Sequence, residues 1–90
     1  MSSSKIEPEA LSRWCVAFVA EMLERPQSDI RTDVKLSRLG LDSAMGVQLA
    51  VALEQELGVT LEPDVVLDHP TIARLVSYLC SRFSGGMSRP

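Results

Sequence analysis

The stretch GLDSAMGVQLAVALEQELG, residues 40–58, decides the fold of this 90-residue chain. Asp42 and Ser43 are residue types that commonly begin a helix, and Gly58 is the type that commonly ends one. Apolar residues between them recur at helical spacing, so we predict a helix over residues 43–57. They form two stripes on roughly opposite faces: an inner stripe of Leu49, Ala50, Leu53 and Leu57, and an outer stripe of Ala44, Val47 and Val51.

The outer stripe does not fit a simple amphipathic helix. One stripe packs against the core, and the other faces water if the helix lies at the surface of an isolated bundle. An exposed apolar stripe on a small domain is typical of a docking surface. The pattern alone leaves open the alternative that a small bundle buries this helix on both sides.

A helix and a long connection are predicted before this stretch. Apolar residues recur at helical spacing over residues 8–24. This first helix ends at Arg25 and Pro26, because a residue that precedes proline is pushed out of the helical conformation. Residues 27–42 have no clear period but contain spaced apolar anchors, which predicts a long connection pinned across the bundle, with room for a short helical turn.

Two helices are predicted after it. Residues 64–67 are sufficient for only a short helix, and Thr71 is a suitable N-cap for a last helix that reaches Phe83. No strand pattern or internal repeat is present. The sequence therefore predicts an all-α fold, a small antiparallel four-helix bundle with three longer helices and one short helix, in which a long loop joins the first two.

Length and composition indicate one soluble globular domain. Ninety residues suit a single domain, and 46% hydrophobic residues exceed the content of disordered chains. We assign residues 8–83 to the domain and interpret residues 1–7 and 84–90, rich in Ser, Gly and Pro, as flexible ends. No apolar run approaches the roughly 20 residues of a membrane span. We expect a cytoplasmic, monomeric domain with no membrane partner.

Charge is distributed unevenly along the chain. No lysine or arginine lies between Arg38 and Arg74, although the net charge is only −3. This pattern argues against a nucleic-acid partner, which needs a clustered basic face, and favours a basic protein surface as partner. The acidic residues of that segment are Asp42, Glu54, Glu56, Glu62, Asp64 and Asp68.

Enzymatic and metal chemistry find little support in the residue content. Cys15 and Cys80 lie in apolar helical patterns, so we predict two buried thiols and neither a disulfide nor a metal site. His69 is the only histidine, and Ser43 lacks the further base that a nucleophilic triad requires. We expect a non-catalytic protein, in which His69 shapes the turn before Pro70.

Ser43 has a chemical use beyond helix initiation. Its hydroxyl lies beside backbone amide donors at the positive end of a helix dipole. There a phosphate attached to it is stabilised by about 0.3 to 1 kcal/mol. A helix cap alone accounts equally well for an isolated Asp-Ser pair, so the surrounding sequence has to distinguish the two roles.

Three segments together, LGLDSAMGVQL (residues 39–49), EQELGV (residues 54–59) and LDHPT (residues 67–71), resemble acyl carrier proteins, specifically the carrier domains of polyketide synthases. The resemblance covers residues 11–83. It implies 4'-phosphopantetheine attached to Ser43 by a separate phosphopantetheinyl transferase, which uses coenzyme A and magnesium. The terminal thiol of that arm carries acyl intermediates as thioesters among ketosynthase, acyltransferase, modifying and releasing enzymes.

The resemblance also implies a partner-recognition surface around Ser43. In this chain the surface differs from the usual family pattern at Ala44, where a larger Leu or Ile is common, and at Gln48, where Glu is frequent. Leu67 replaces a frequent Phe, and we expect it in the core. The residues before Ser43 favour the polyketide type, with a peptidyl or fatty-acid carrier, or an unmodified helical interaction module, as alternatives. The implied recognition residues are Asp42, Ala44, Met45, Val47, Gln48 and Val51.

Overall fold

A computed structural model describes residues 7–84, and these residues form a bundle of helices with no strand among them. The all-α bundle predicted from the sequence is confirmed. The ends expected to be flexible, residues 1–7 and 84–90, lie outside the described residues apart from Glu7 and Ser84. The helices are α1 (Pro8–Leu23), α2 (Leu36–Leu39), α3 (Ser43–Leu57), α4 (Val65–Asp68) and α5 (Ile72–Leu79), with a 3₁₀ turn at Gln27–Asp29 and a π-helical turn at Cys80–Ser84.

The connection between α1 and α3 is more regular than its sequence indicates. It contains the 3₁₀ turn and α2, where only one short helical turn was expected. Four-residue helices have little stability of their own, so packing has to hold α2 in place. The Leu36 N–H donates to the Pro70 carbonyl at 2.8 Å, and the Ala73 N–H donates to the Thr32 carbonyl at 2.9 Å. The predicted pinning of this connection across the bundle is confirmed.

The helix ends follow local chemistry with small shifts from the predicted bounds. Glu24 adopts a left-handed conformation with φ of 57°, so α1 ends at Leu23, one residue early. The short helix α4 begins one residue later than predicted. Thr71 is confirmed as the N-cap of α5, because its hydroxyl accepts the Arg74 N–H at 3.1 Å. Regular α-helix ends at Leu79, and the π-helical turn continues beyond it.

The core collects apolar side chains from all five helices and from the connections. Cys15 is fully buried, as predicted, but Cys80 is only partly buried because it lies in the turn beyond α5. The prediction of two buried thiols is therefore wrong for Cys80. The buried side chains are Leu11, Cys15, Val19, Ala20, Ile30, Leu36, Leu39, Leu41, Leu49, Ala50, Leu53, Leu61, Val65, Val66, Ile72, Leu75, Val76 and Leu79.

Two glycines with positive φ end the helices on either side of the predicted site. Gly40 follows α2 with φ of 118° and donates its N–H to the Leu36 and Ser37 carbonyls. Gly58 follows α3 with φ of 69°, as the sequence predicts for a C-cap. Residues with a Cβ resist these conformations, so glycine sets both turns.

Alanine substitution at these glycines should destabilise the fold to different extents. At Gly58 an added Cβ meets nothing within 4 Å, so the cost is conformational, about 1 to 2 kcal/mol. At Gly40 the φ of 118° lies outside the left-handed region that L-residues reach, so the conformational cost is larger there. The added Cβ would make only an ordinary contact with a Leu23 methyl, at 3.6 Å. The midpoint of urea unfolding should therefore be lower for Gly40→Ala than for Gly58→Ala. Equal midpoints for Gly40→Ala and the wild type would contradict this assignment.

Burial of Cys15 predicts a protected thiol. Loss of hydration raises its pKa from 9.0 to about 12, so the folded chain holds the proton more tightly than the unfolded chain. The resulting stability is complete below pH 9.0 and declines as pH rises toward 12. In a Cys80→Ser background, we expect iodoacetamide at about pH 8 to modify Cys15 only after urea unfolding. The modification is followed by mass spectrometry. Rapid modification of Cys15 in the folded chain would contradict its burial.

Candidate functional site

Ser43 is the first residue of α3, and its side chain is exposed. Asp42 precedes it in an extended conformation, and its carboxylate Oδ1 accepts the Met45 N–H at 2.9 Å. The Asp42 carbonyl accepts the Gly46 N–H, also at 2.9 Å, which is the first i to i−4 bond of the helix. Asp42 is therefore confirmed as the N-cap, and it fixes the turn that presents the Ser43 hydroxyl.

The chain that leads into Ser43 is anchored by Leu41. Its side chain is buried, and its N–H donates to the Leu36 carbonyl at 3.0 Å. The anchor lies two residues before Ser43, on a segment already turned by Gly40. Buried Leu41, the Asp42 cap and exposed Ser43 are thus consecutive. The anchored chain before Ser43 and the capped helix that starts with it together fix the position of the hydroxyl.

A cleft of about 290 Å³ opens beside Ser43, between α2, α3 and α4. Most of its wall is apolar, and Ser37 and Ser43 contribute hydroxyl groups. Gly46 is buried in this wall, and a Cβ at that position would lie 3.6 Å from a Val66 methyl. The missing side chain therefore leaves room beside Val66 that an alanine could occupy with an ordinary van der Waals contact. The lining residues are Leu36, Ser37, Leu41, Asp42, Ser43, Gly46, Val66, Leu67 and Pro70.

Leu67 lies at this cleft and not in the core. Its side chain is 67% exposed, so the expectation of a core residue is wrong. The short helix α4 directs Val65 and Val66 inward, and one turn of helix leaves the next residue facing outward. A hint was available in the sequence, because two adjacent valines already fill the inward face of so short a helix.

Glu54 has a structural role that the charge pattern did not reveal. It was counted among the acids of a partner surface, but its carboxylate accepts the Leu61 N–H at 2.7 Å. Leu61 is buried, so this bond fastens the connector between α3 and α4. Together with the Gly58 turn, it directs the chain back toward the cleft that Ser43 lines.

The outer stripe of α3 is exposed. Val47 and Val51 are 43% and 45% exposed, and Ala44 and Gln48 also face solvent. The alternative of burial on both sides of the helix is therefore wrong for these residues. Met45 is half-buried and packs against the core, so its contribution to a surface is smaller. Recognition of partners by these residues stays a prediction.

His69 is held by stacking on another ring. Its imidazole lies 4.1 Å from the Tyr78 ring, centroid to centroid, and is half-buried. The Arg82 guanidinium donates to the Tyr78 hydroxyl at 2.6 Å and completes a small cluster on the α5 side. The imidazole is not one of the groups lining the cleft with Ser43.

The described residues contain neither a metal-binding cluster nor a helix that could span a membrane. Across residues 7–84, no three His, Cys, Asp or Glu side chains group in a way that would hold a metal ion. Within the same range, no helix combines the length and apolar character needed to cross a membrane.

Comparisons with known proteins agree with this geometry. The family model described as phosphopantetheine attachment site matches residues 13–79. A phenolphthiocerol synthesis polyketide synthase, type I Pks15/1, from Mycobacterium bovis is 39% identical over 72 residues, covering 79% of this chain. That alignment covers 3% of the synthase, and the chain spans between 2% and 7% of the length of the curated relatives it matches.

Two solved structures are similar over most of the chain. A free-standing peptidyl carrier protein from Acinetobacter baumannii has a TM-score of 0.81 and 30% identity, covering 86% of this chain and 96% of that one. The HMG-ACPI domain of the CurA module from Lyngbya majuscula has a TM-score of 0.83 and 25% identity, covering 98% and 89%. The helical arrangement around Ser43 is thus shared with carrier proteins.

Removal of the Asp42 carboxylate should loosen the first turn of α3. Asp42→Ala leaves the Met45 N–H without its cap and should cost about 1 kcal/mol of unfolding free energy. Asp42→Asn is the matched control, because an amide oxygen accepts the same bond and should retain most of the stability. Urea unfolding of both variants measures the difference, and an Asp42→Ala chain as stable as the wild type would contradict the assigned cap.

Proposed function

The chain belongs to the phosphopantetheine attachment site family, and we propose that it is an acyl carrier domain of a polyketide synthase that is loaded on Ser43. Members of this family carry 4'-phosphopantetheine covalently. The observation that carries the proposal is the exposed Ser43 hydroxyl at the first turn of α3, beside an apolar cleft. We propose residues 8–83 as the extent of the domain.

The residues around Ser43 fit such a group. Solvent reaches the hydroxyl, so a transferase can approach it. Asp42 accepts the Met45 N–H, so the Ser43 and Ala44 N–H groups are the first-turn donors that remain without a partner within the helix. The helix dipole stabilises a phosphodiester beside them by about 0.3 to 1 kcal/mol. Gly46 adds no side chain to the wall of the adjacent cleft, and Leu67 offers an exposed apolar surface at its edge. Ser43 would hold the group by a phosphodiester bond.

The proposed role of the chain is to hold the arm attached to Ser43 and present its acyl chain to catalytic partners, without catalysis of its own. When bound, the group supplies a terminal thiol on which acyl chains are held as thioesters. Asp42 and Leu41 orient the first turn of α3, so that Ser43 points into solvent at a fixed place. His69, the only imidazole in the chain, is stacked on Tyr78, which supports a non-catalytic carrier.

Polyketide synthesis is favoured by two features. Leu39, Gly40 and Leu41 precede the Asp42-Ser43 pair and resemble the polyketide-type pattern. The Mycobacterium bovis relative is named a polyketide synthase. A peptidyl carrier is the second candidate, supported by the similarity to the Acinetobacter baumannii structure. An acyltransferase domain encoded in the same reading frame would favour the first candidate, and an adenylation domain would favour the second.

The proposed partners are a phosphopantetheinyl transferase and the ketosynthase, acyltransferase, modifying and releasing domains of the synthase. The absence of Lys and Arg between Arg38 and Arg74 supports partners with basic surfaces. Each contact has to be small and short-lived, because a carrier visits several partners in one cycle. We also propose a monomeric, cytoplasmic domain, and repulsion between identical acidic faces supports the monomer.

Loading on Ser43 is testable by intact-mass spectrometry. Co-expression with a broad-specificity phosphopantetheinyl transferase should add the mass of one phosphopantetheine to the wild-type chain and none to Ser43→Ala. Ser37→Ala is the matched control, because Ser37 is another exposed serine at the same cleft, and this variant should load fully.

Two results would count against the proposal. A folded wild-type chain that gains no mass would favour an unmodified interaction module. A Ser43→Ala variant that still gains the mass would assign the attachment to another residue. Circular dichroism of each variant establishes that the helices are intact.

A further inference from the structure

A groove of about 520 Å³ runs between α1 and α3, away from the cleft that Ser43 lines. Neither helix alone forms it, and the helical spacing of apolar residues over 8–24 did not reveal it. We call it the α1–α3 groove. Its lining residues are Phe18, Glu21, Met22, Val47, Gln48, Val51, Ala52 and Gln55.

The apolar part of the α1–α3 groove is preformed. Phe18 and Met22 are half-buried against the core, and Val47 and Val51 of the outer stripe are more than 40% exposed. The Phe18 ring stacks on Trp14 with a centroid distance of 5.2 Å and an interplanar angle of 8°. An aromatic side chain held in this way loses little freedom when a partner contacts it, which is typical of residues that dominate interfaces.

The charge around the α1–α3 groove favours a partner with basic groups. Glu21 is the one charged side chain in the lining, and α3 contains no Lys or Arg. Gln48 and Gln55 add uncharged amides at the edge. A partner that surrounds an apolar side chain with basic groups complements this arrangement. A second copy of the chain, packed groove to groove, would instead bring its own Glu21 close to this one.

The groove also lies close to the attachment site. Val47 follows Ser43 by four residues, about one helical turn or 6 Å of rise. Ser43 lines the other cleft and not this one, which separates the groove from the space beside the attached arm. A protein seated in the groove would therefore approach Ser43 without blocking it.

We propose that the α1–α3 groove seats an apolar side chain, ringed by basic residues, of a catalytic domain of the synthase. Phe18, Glu21 and Met22 of α1 then recognise partners together with the outer stripe of α3. This inference rests on the proposed function, because it requires a carrier that visits catalytic domains.

The test measures binding of the loaded chain to the purified ketosynthase–acyltransferase didomain of the same synthase by calorimetry. Met22→Gln removes apolar surface from the groove and should weaken binding about tenfold. Glu21→Lys should weaken it about threefold or more at low salt, with a smaller effect at high salt. Glu9→Lys is the matched control, because it makes the same charge change on an exposed residue near the start of α1, and its affinity should equal that of the wild type.

Loading separates failure of this inference from failure of the proposed function. If the wild type and all variants are loaded, but Met22→Gln and Glu21→Lys bind the didomain as tightly as the wild type, the groove is not a docking site. If the wild type is never loaded, the proposed function itself fails.

Two other occupants are distinguished by the same samples. A dimer in sedimentation that Glu21→Lys abolishes would overturn the inference in favour of self-association. Amide shifts of groove residues on acylation of the loaded chain alone, without the didomain, would overturn it in favour of the acyl group. Wild-type sedimentation as a monomer, with groove shifts only on addition of the didomain, supports it.

Discussion

The hydrogen bond from the Met45 N–H to the Asp42 carboxylate holds the turn on which the proposed function depends. It starts α3 at Ser43, and the helical repeat then determines which side chains face inward. Leu49 and Leu53 become buried, while Ser43 and the outer stripe stay in solvent. A start one residue away would rotate the helix faces by about 100° and turn the serine from its cleft. One cap therefore links the stability of the bundle to the presentation of the Ser43 hydroxyl.

The cleft beside Ser43 depends on contacts between segments that are distant in the sequence. The bond between the Leu36 N–H and the Pro70 carbonyl joins the start of α2 to the segment before α5. The Glu54 carboxylate fastens the connector that carries α4 toward the same place. A backbone carbonyl accepts the Leu36 N–H and a side-chain carboxylate accepts the Leu61 N–H, which allows irregular chain to pack against an apolar core. The site is thus a product of the whole fold, although its central residue lies in a local motif.

The local features of the chain were predictable because short-range chemistry determines them. The bounds of α3, the Thr71 cap and the Gly58 turn follow from residue types within one helical turn. The exposure of Leu67 and the α1–α3 groove depend on how separate helices pack, which a periodic pattern does not specify. The sequence allowed a short helical turn in the long connection but did not specify the bounds of α2, since a single turn is stabilised by its tertiary contacts and not by its own propensity.

Attachment at one defined hydroxyl is the central claim, and the spacing of basic residues allows a direct measurement. Trypsin cuts after Arg38 and Arg74 and releases residues 39–74 as one peptide, in which Ser43 is the single serine. Tandem mass spectrometry of the loaded chain should find the phosphopantetheine on this peptide, at Ser43. Its detection on residues 36–38, which contain Ser37, or on any other peptide would contradict the account.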